Sequence, residues 1–192
     1  MSYDIRLRDP VTKEAIQLPT PHVMTGGIYA AEYDQASGAW RPRPIQEAWL
    51  NVTYNYGHYY FEAAEGDERF ARKWGEGEAN AGIRGIYGFT GAESIPMLTD
   101  LIQRIEGRYT KDGEWISTER KRTRYFDQHG AEVDEIEALR SGGKYREEIQ
   151  TETVSEGPDD DYWKATAANA VKPLYQLLAM AQLRPDGVWD GD

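Results

Sequence analysis

The sequence contains no cysteine and only three histidines in its 192 residues. Without cysteine the chain has no disulfide framework and no thiolate nucleophile. The histidines, His22, His58 and His129, lie far apart and show neither HExxH nor another paired metal spacing. The GxSxG nucleophile motif is absent as well. The usual sequence signatures of a hydrolase are therefore missing, although a triad assembled only in space would leave no such signature.

Long apolar runs are missing too. No stretch approaches the roughly 20 apolar residues of a membrane-spanning helix, and the first residues, MSYDIRLRDP, contain no apolar signal core. We therefore expect a cytoplasmic protein that has no membrane partner.

The formal net charge of −11 is unevenly distributed along the chain. Residues 127–161 hold twelve acidic against three basic side chains, whereas residues 108–126 hold six basic against three acidic ones. The acidic balance argues against nucleic acid as a partner.

The charged middle of the chain also loses apolar density. We predict a single domain, 1–192, whose core is formed by 1–106 and 159–192, with 107–158 as a charged, β-rich or irregular insertion or arm.

Two apolar periodicities predict the main helices, at about 93–105 and 169–183. Thr90 or Ser94 is a candidate cap for the first helix, and Thr166 or Asn169 for the second. In the N-terminal half, apolar and polar residues alternate as they do in β-strands. We therefore predict an α+β fold in which an antiparallel sheet packs against these helices.

Apolar or aromatic side chains alternate with small polar ones most clearly over residues 50–56, and this pattern predicts a strand. Residues 34–44, DQASGAWRPRP, are typical of a loop. In such a strand Asn51, Thr53 and Asn55 would share one face. Small hydrogen-bonding side chains either line a polar pocket or face water, and the sequence leaves both open.

These polar side chains are part of a predicted ligand site. Its positive charges would come from Arg84 and Lys172, its stacking surfaces from aromatic rings, and its directional hydrogen bonds from asparagines. The predicted ligand is small and anionic, like a nucleotide; no catalytic residue, metal or cofactor is expected. The predicted ligand-binding residues are Asn51, Thr53, Tyr54, Asn55, Arg84, Trp163, Asn169 and Lys172.

Two acidic clusters support an alternative, a metal-dependent hydrolase or nucleotide-modifying enzyme. Asp159, Asp160 and Asp161 precede the second helix, and further aspartates follow it near the end of the sequence. Carboxylates suit a hard cation such as Mg²⁺. Acidic residues before a helix also interact favourably with its dipole, and this is the simpler interpretation.

The run ERKRTRYF supports a third hypothesis, an oligomerising interaction protein that acts through residues 108–158. The run places basic side chains beside an aromatic one, a combination that suits contacts with phosphates or with a partner protein. The predicted interaction residues are Arg120, Arg122, Arg124 and Tyr125. The arginines would share one strand face, so they could equally pair with the acidic stretch that follows.

Several motifs resemble a family of small bacteriophage and prophage proteins. They are the start SYDIRLRDPVT, LNVTYNYG, GIRGIYGFTGAESIPML and DYWKATAANAVKPLYQLLAMAQLRPDGVWDGD, which together span about 1–106 and 159–192. The resemblance implies a phage setting, in which small accessory proteins often counter host defence, and it carries no reaction. The leading hypothesis is thus a non-enzymatic phage accessory protein in the host cytoplasm that binds a host protein or the anionic ligand, with a homo-oligomer as an option.

Overall fold

The computed structural model describes residues 2–24, 31–74, 77–108 and 117–192, and it has the predicted α+β fold. The strands are β1 (Ser2–Arg8), β2 (Gln17–Val23), β3 (Ala31–Asp34), β4 (Ala39–Pro42), β5 (Pro44–Glu47), β6 (Trp49–Thr53), β7 (Ala71–Trp74), β8 (Gly77–Asn80), β9 (Ser117–Asp127), β10 (Glu132–Val133), β11 (Tyr145–Ser155) and β12 (Val188–Gly191). The helices are α1 (Gly57–Ala63), α2 (Gly91–Glu106), α3 (Glu135–Arg140) and α4 (Ala167–Leu183).

The chain forms two compact units. The first consists of Met1–Glu114 with Gly157–Asp192, and the second of Trp115–Glu156. The second unit lies within the charged arm that the sequence predicts at 107–158. Whether this unit is an insertion into a single domain stays a prediction.

A three-stranded antiparallel sheet, in the order β12-β1-β6, lies at the centre of the first unit. Burial alternates along β1, so that Tyr3, Ile5 and Leu7 face the core while their neighbours are half-buried. This alternation is what a strand with one covered face requires.

The two long helices of this unit pack against each other, and both predictions for them are confirmed. Thr90 caps α2 with a full capping box, in which its hydroxyl accepts from the Glu93 amide and the Glu93 carboxylate accepts from the Thr90 amide. Ser94 has another role: its buried hydroxyl accepts a 2.7 Å hydrogen bond from the indole of Trp189 on β12. Thr166 caps α4, so Pro173 lies in the interior of that helix.

Tyrosine hydroxyls attach α1 to the first turn of α4 and to the segment before it. Tyr59 donates to the carbonyl of Ala165 at 3.0 Å and Tyr60 to that of Ala170 at 2.9 Å. These bonds bridge more than a hundred residues of sequence, so the local pattern around α1 contains no signal for them.

Two predictions were wrong in this unit. The strand predicted at 50–56 ends at Thr53, and Tyr54–Tyr56 forms a 3₁₀ turn for which Thr53 is the cap. The loop predicted at 34–44 contains β4, which pairs with β3 in an antiparallel hairpin. In the first segment the Thr53 cap outweighed the alternation pattern, and in the second the pairing with β3 makes a strand of residues whose composition is typical of a loop.

The second unit is a three-stranded antiparallel sheet, in the order β10-β9-β11, with the short helix α3 packed on β9. The strands β9 and β11 pair along their whole lengths, from Ser117 opposite Ser155 to Asp127 opposite Tyr145. Asp134 caps α3 by accepting from the amide of Glu137 at 2.7 Å.

In the parts of the chain given above, none of the helices is long and apolar enough to cross a membrane.

Candidate functional site

The three polar side chains predicted to share one strand face, Asn51, Thr53 and Asn55, lie in different surroundings. Asn51 is buried, and its amide donates to the Ser2 hydroxyl at 2.7 Å and to a carboxylate oxygen of Asp4 at 3.1 Å. Thr53 is buried as the cap of the 3₁₀ turn and accepts from the Asn55 amide at 3.3 Å. Asn55 is exposed and lies on that turn and not on the strand, which corrects the prediction that the three side chains share a face.

Arg84 lies among tyrosines. Its guanidinium donates to the Tyr54 hydroxyl at 2.8 Å and to the backbone oxygen of Asp192 at 2.7 Å. It also stacks over the ring of Tyr3, 4.8 Å from the ring centroid. Burial raises the pKa of Tyr3, while the charge of Arg84 opposes that rise. Arg84 therefore links the rings of this packed aromatic cluster.

Asn169 is buried in the first turn of α4 and holds the loop before the helix. Its side-chain oxygen accepts from the Asp159 amide at 3.2 Å, and its amide donates to the carbonyl of Asp161 at 3.2 Å. The ammonium of Lys172, which is exposed, donates to the same Asn169 oxygen at 2.8 Å. The side chain of Asn169 thus has structural partners on both of its polar atoms.

The 3₁₀ turn connects these groups. Its first residue, Tyr54, contacts Arg84; its second, Asn55, donates to the carbonyl of Trp163 at 2.8 Å; and its third, Tyr56, donates to the carbonyl of Tyr162. The fold therefore brings Tyr54 to Arg84, Asn55 to Trp163, and Asn169 to Lys172. That a ligand binds to them stays a prediction.

Each of the two acidic clusters contains an aspartate that forms an ion pair inside the chain. Asp159 pairs with Lys164 at 2.8 Å, and Asp186 pairs with Arg184 at 2.8 Å. In each case the hydrogen bond from the cationic partner lowers the pKa of the carboxyl group. Within the described ranges no three acidic or histidine side chains are grouped in a way that could hold a metal ion.

A cleft of about 610 Å³ lies beside the end of α1. At its base Asp67, with a side chain only 10% exposed, accepts from Arg69 at 2.6 Å and from Arg104 at 3.0 Å. Arg108 on its rim pairs with Glu62 at 2.7 Å. The hydrogen bonds from Arg69 and then Arg104 hold the pKa of Asp67 well below its ordinary value. The three arginines of the cleft are all paired with carboxylates, so the cleft is an ion-pair network.

The β3–β4 hairpin presents an exposed aromatic pair that the sequence analysis missed. Tyr33 and Trp40 are paired across the two strands, and their rings meet edge to face with centroids 5.5 Å apart. Tyr33 is 53% and Trp40 70% exposed. Arg41 follows Trp40 and pairs with Asp34 at 2.7 Å. Two large rings are thus displayed side by side towards solvent on one face of the hairpin, and Arg41 lies on the other face.

The turn of this hairpin is specified locally. Asp34 accepts from the Ala36 amide at 3.0 Å and from the Ser37 hydroxyl at 2.8 Å, and these bonds hold the pKa of Asp34 below its ordinary value. Gly38, with φ of 64°, adopts the left-handed conformation that closes the turn. An aspartate followed four residues later by glycine is a turn signal, and it could have identified the hairpin from sequence.

In the second unit the register places the predicted interaction residues opposite acidic or polar ones. Arg124 lies opposite Glu148, Arg122 opposite Gln150, and Arg120 opposite Glu152. The side chains of Arg120 and Arg122 lie outside the described residues. That of Arg124 pairs with Glu132 at 3.3 Å, and the ring of Tyr125 packs on Tyr145 with centroids 5.6 Å apart. This geometry favours the interpretation that the basic strand pairs with the acidic stretch that follows it.

No protein-family model, curated protein or solved structure matches this sequence.

Proposed function

We propose that this chain is a non-enzymatic accessory protein of a bacteriophage or prophage that binds a host protein through the β3–β4 hairpin. The observation that carries the proposal is the exposed ring pair of Tyr33 and Trp40. Tryptophan, tyrosine and arginine are the residues most enriched among those that dominate binding energy at protein interfaces. The ring pair supplies two of these types on one face of the hairpin.

The rings are also suited to binding because they are already ordered. Each is held by the other across the two strands, so little side-chain entropy is left to lose on association. An isolated two-stranded hairpin is only marginally stable in water, and a partner that covers the rings would stabilise it further.

The alternative of a small anionic ligand has less support. Of the two cations it requires, Arg84 already bonds Tyr54 and Asp192, and Lys172 bonds Asn169. An anion would have to compete with these interactions. The protein partner requires no such exchange, because the hairpin rings face solvent.

A protein that binds without chemistry acts by occupying a surface of its target. In the cytoplasm of an infected bacterium such occupation could block a host defence factor, and this is the role we propose. The phage setting itself comes from the resemblance of the motifs.

A pull-down from bacterial host extract with Trp40→Ala tests the proposal. We expect the wild-type chain to retain a specific host protein and the variant to lose most of it, since truncating an interface tryptophan often costs about 2 kcal/mol or more, or more than tenfold in affinity. Val11→Ala is the matched control, because Val11 is 86% exposed and lies outside the hairpin. Equal retention by Trp40→Ala and wild type would exclude the hairpin as the binding surface.

A further inference from the structure

The strand β11 is an edge of its sheet. In the described part of the second unit it pairs with β9 on one side, and no strand pairs with its other side. An edge strand of eleven residues presents a row of backbone donors and acceptors that can pair with another strand. In the middle of this edge Ile149 is 70% exposed.

The sequence of β11 is complementary to itself about Ile149. When two copies of the strand run antiparallel with Ile149 opposite Ile149, Arg146 of each copy lies opposite Glu152 of the other. Glu147 then lies opposite Thr151, and Glu148 opposite Gln150. This register opposes no like charges, and it pairs the two exposed isoleucines at the two-fold axis.

The neighbouring registers lack this complementarity. A pairing centred on Glu148 places the two Glu148 residues opposite each other, and one centred on Gln150 places Glu148 opposite Glu152. Directly opposed like charges destabilise antiparallel pairs. A pairing shifted by an odd number of residues would turn the side chains of one copy to the other face of the sheet.

Further apolar surface lies on the face of the sheet that carries Ile149. Because Glu147 pairs with Tyr125, Ile149 and Tyr125 point to the same face. Tyr145 lies on this face as well, and its ring packs on that of Tyr125 with centroids 5.6 Å apart. Antiparallel pairing about a two-fold axis would bring Ile149 and these rings of both copies to one side of a continuous sheet.

We propose that the chain forms a two-fold symmetric dimer in which the β11 strands of two copies pair antiparallel about Ile149. The two three-stranded sheets become one six-stranded sheet, and the contact is closed because the same surface serves both copies. In the single chain Arg146 lies 2.8 Å from Glu148, and in the dimer the register places it opposite residue 152 of the second copy.

The absence of cysteine makes the register directly testable. In Ile149→Cys the two thiols lie opposite each other at the axis, so mild oxidation should cross-link most of the protein into a dimer. In Thr151→Cys and Glu147→Cys the identical thiols lie four residues apart along the strands, about 13 Å, and neither variant should cross-link with itself. An equal mixture of those two variants should cross-link, because residue 147 of one copy lies opposite residue 151 of the other.

Sedimentation equilibrium provides the second measurement. The wild-type chain should have twice its monomer mass of 21.9 kDa, and Ile149→Lys, which places two ammonium groups at the axis, should be monomeric. Lys121→Glu on β9 is a control that changes charge away from the β11 edge, and it should remain dimeric. A monomeric wild type, or a dimer in which Ile149→Cys cross-links no better than Thr151→Cys, would overturn the proposal.

Discussion

Asn169 illustrates how much a single buried amide does in this chain. Its position was predictable from sequence as the start of a helix, but its partners were not, because they are backbone groups of the preceding loop. The same holds for Asn51, whose partners Ser2 and Asp4 lie far away in the sequence. Sequence reasoning identified these side chains as unusual, and the structure assigns them internal hydrogen bonds.

Replacing Asn169 by alanine should therefore lower stability. The change leaves the Asp159 amide and the Asp161 carbonyl without their partner, and an unsatisfied buried polar group costs about 1–3 kcal/mol. Urea unfolding measures this loss. Lys172→Ala is the matched control; it should change the free energy of unfolding by no more than about 0.5 kcal/mol, because Lys172 is exposed. Equal effects of the two changes would contradict the structural role of Asn169.

Asp67 should make stability depend on pH in the acid range. Its pKa is lower in the folded chain than in the unfolded one, so its contribution is fully present above about pH 4 and is lost as pH falls further. Asp67→Asn should cost about 1–3 kcal/mol at pH 7, and the difference from wild type should shrink steadily as pH falls from about 4 towards 2. Unfolding curves over this range test the claim. Glu65→Gln, in the same cleft but exposed, serves as the control and should show no such convergence.

At the scale of elements, the long helices were predictable and the short elements were not. The helices α2 and α4 combine apolar periodicity with a threonine cap, and these signals agree. The strand β4 has four residues, all exposed, so it shows no alternation of burial. The strand β12 was missed because its pairing with β1 joins residues that lie at opposite ends of the sequence. Short elements that depend on distant partners carry little signal of their own.

The capping box of α2 should contribute measurably to stability. Thr90→Ala removes the hydroxyl that accepts from the Glu93 amide, and the loss of such a cap costs about 1 kcal/mol. Thr99→Ala, the same change inside the helix, should be neutral or slightly stabilising, because alanine has the higher helix propensity. Thermal unfolding of both variants checks the difference. If both changes had the same effect, the cap would not be the cause.

At the scale of the whole molecule, the charge distribution along the sequence predicted where the second unit lies. It did not predict how the first unit is assembled. The acidic and basic blocks lie largely within the second unit, Trp115–Glu156. The first unit joins the beginning and the end of the sequence: β1 and β12 pair, and the Asp4 amide donates to the side chain of Asp192 at 3.0 Å. No local pattern encodes such a contact. What the structure adds is an exposed aromatic hairpin in one unit and an open, self-complementary edge in the other.

The central claim is that the Tyr33–Trp40 surface binds a host protein, and photo-cross-linking in cells tests it most directly. A benzophenone side chain would replace Pro42 in one variant and Val11, also exposed, in another, so that Trp40 stays in place. Pro42 lies on the same face of β4 as Trp40. On irradiation in the bacterial host, we expect a discrete cross-linked product from position 42 that is absent from position 11. No product at position 42, or the same products from both positions, would contradict the claim.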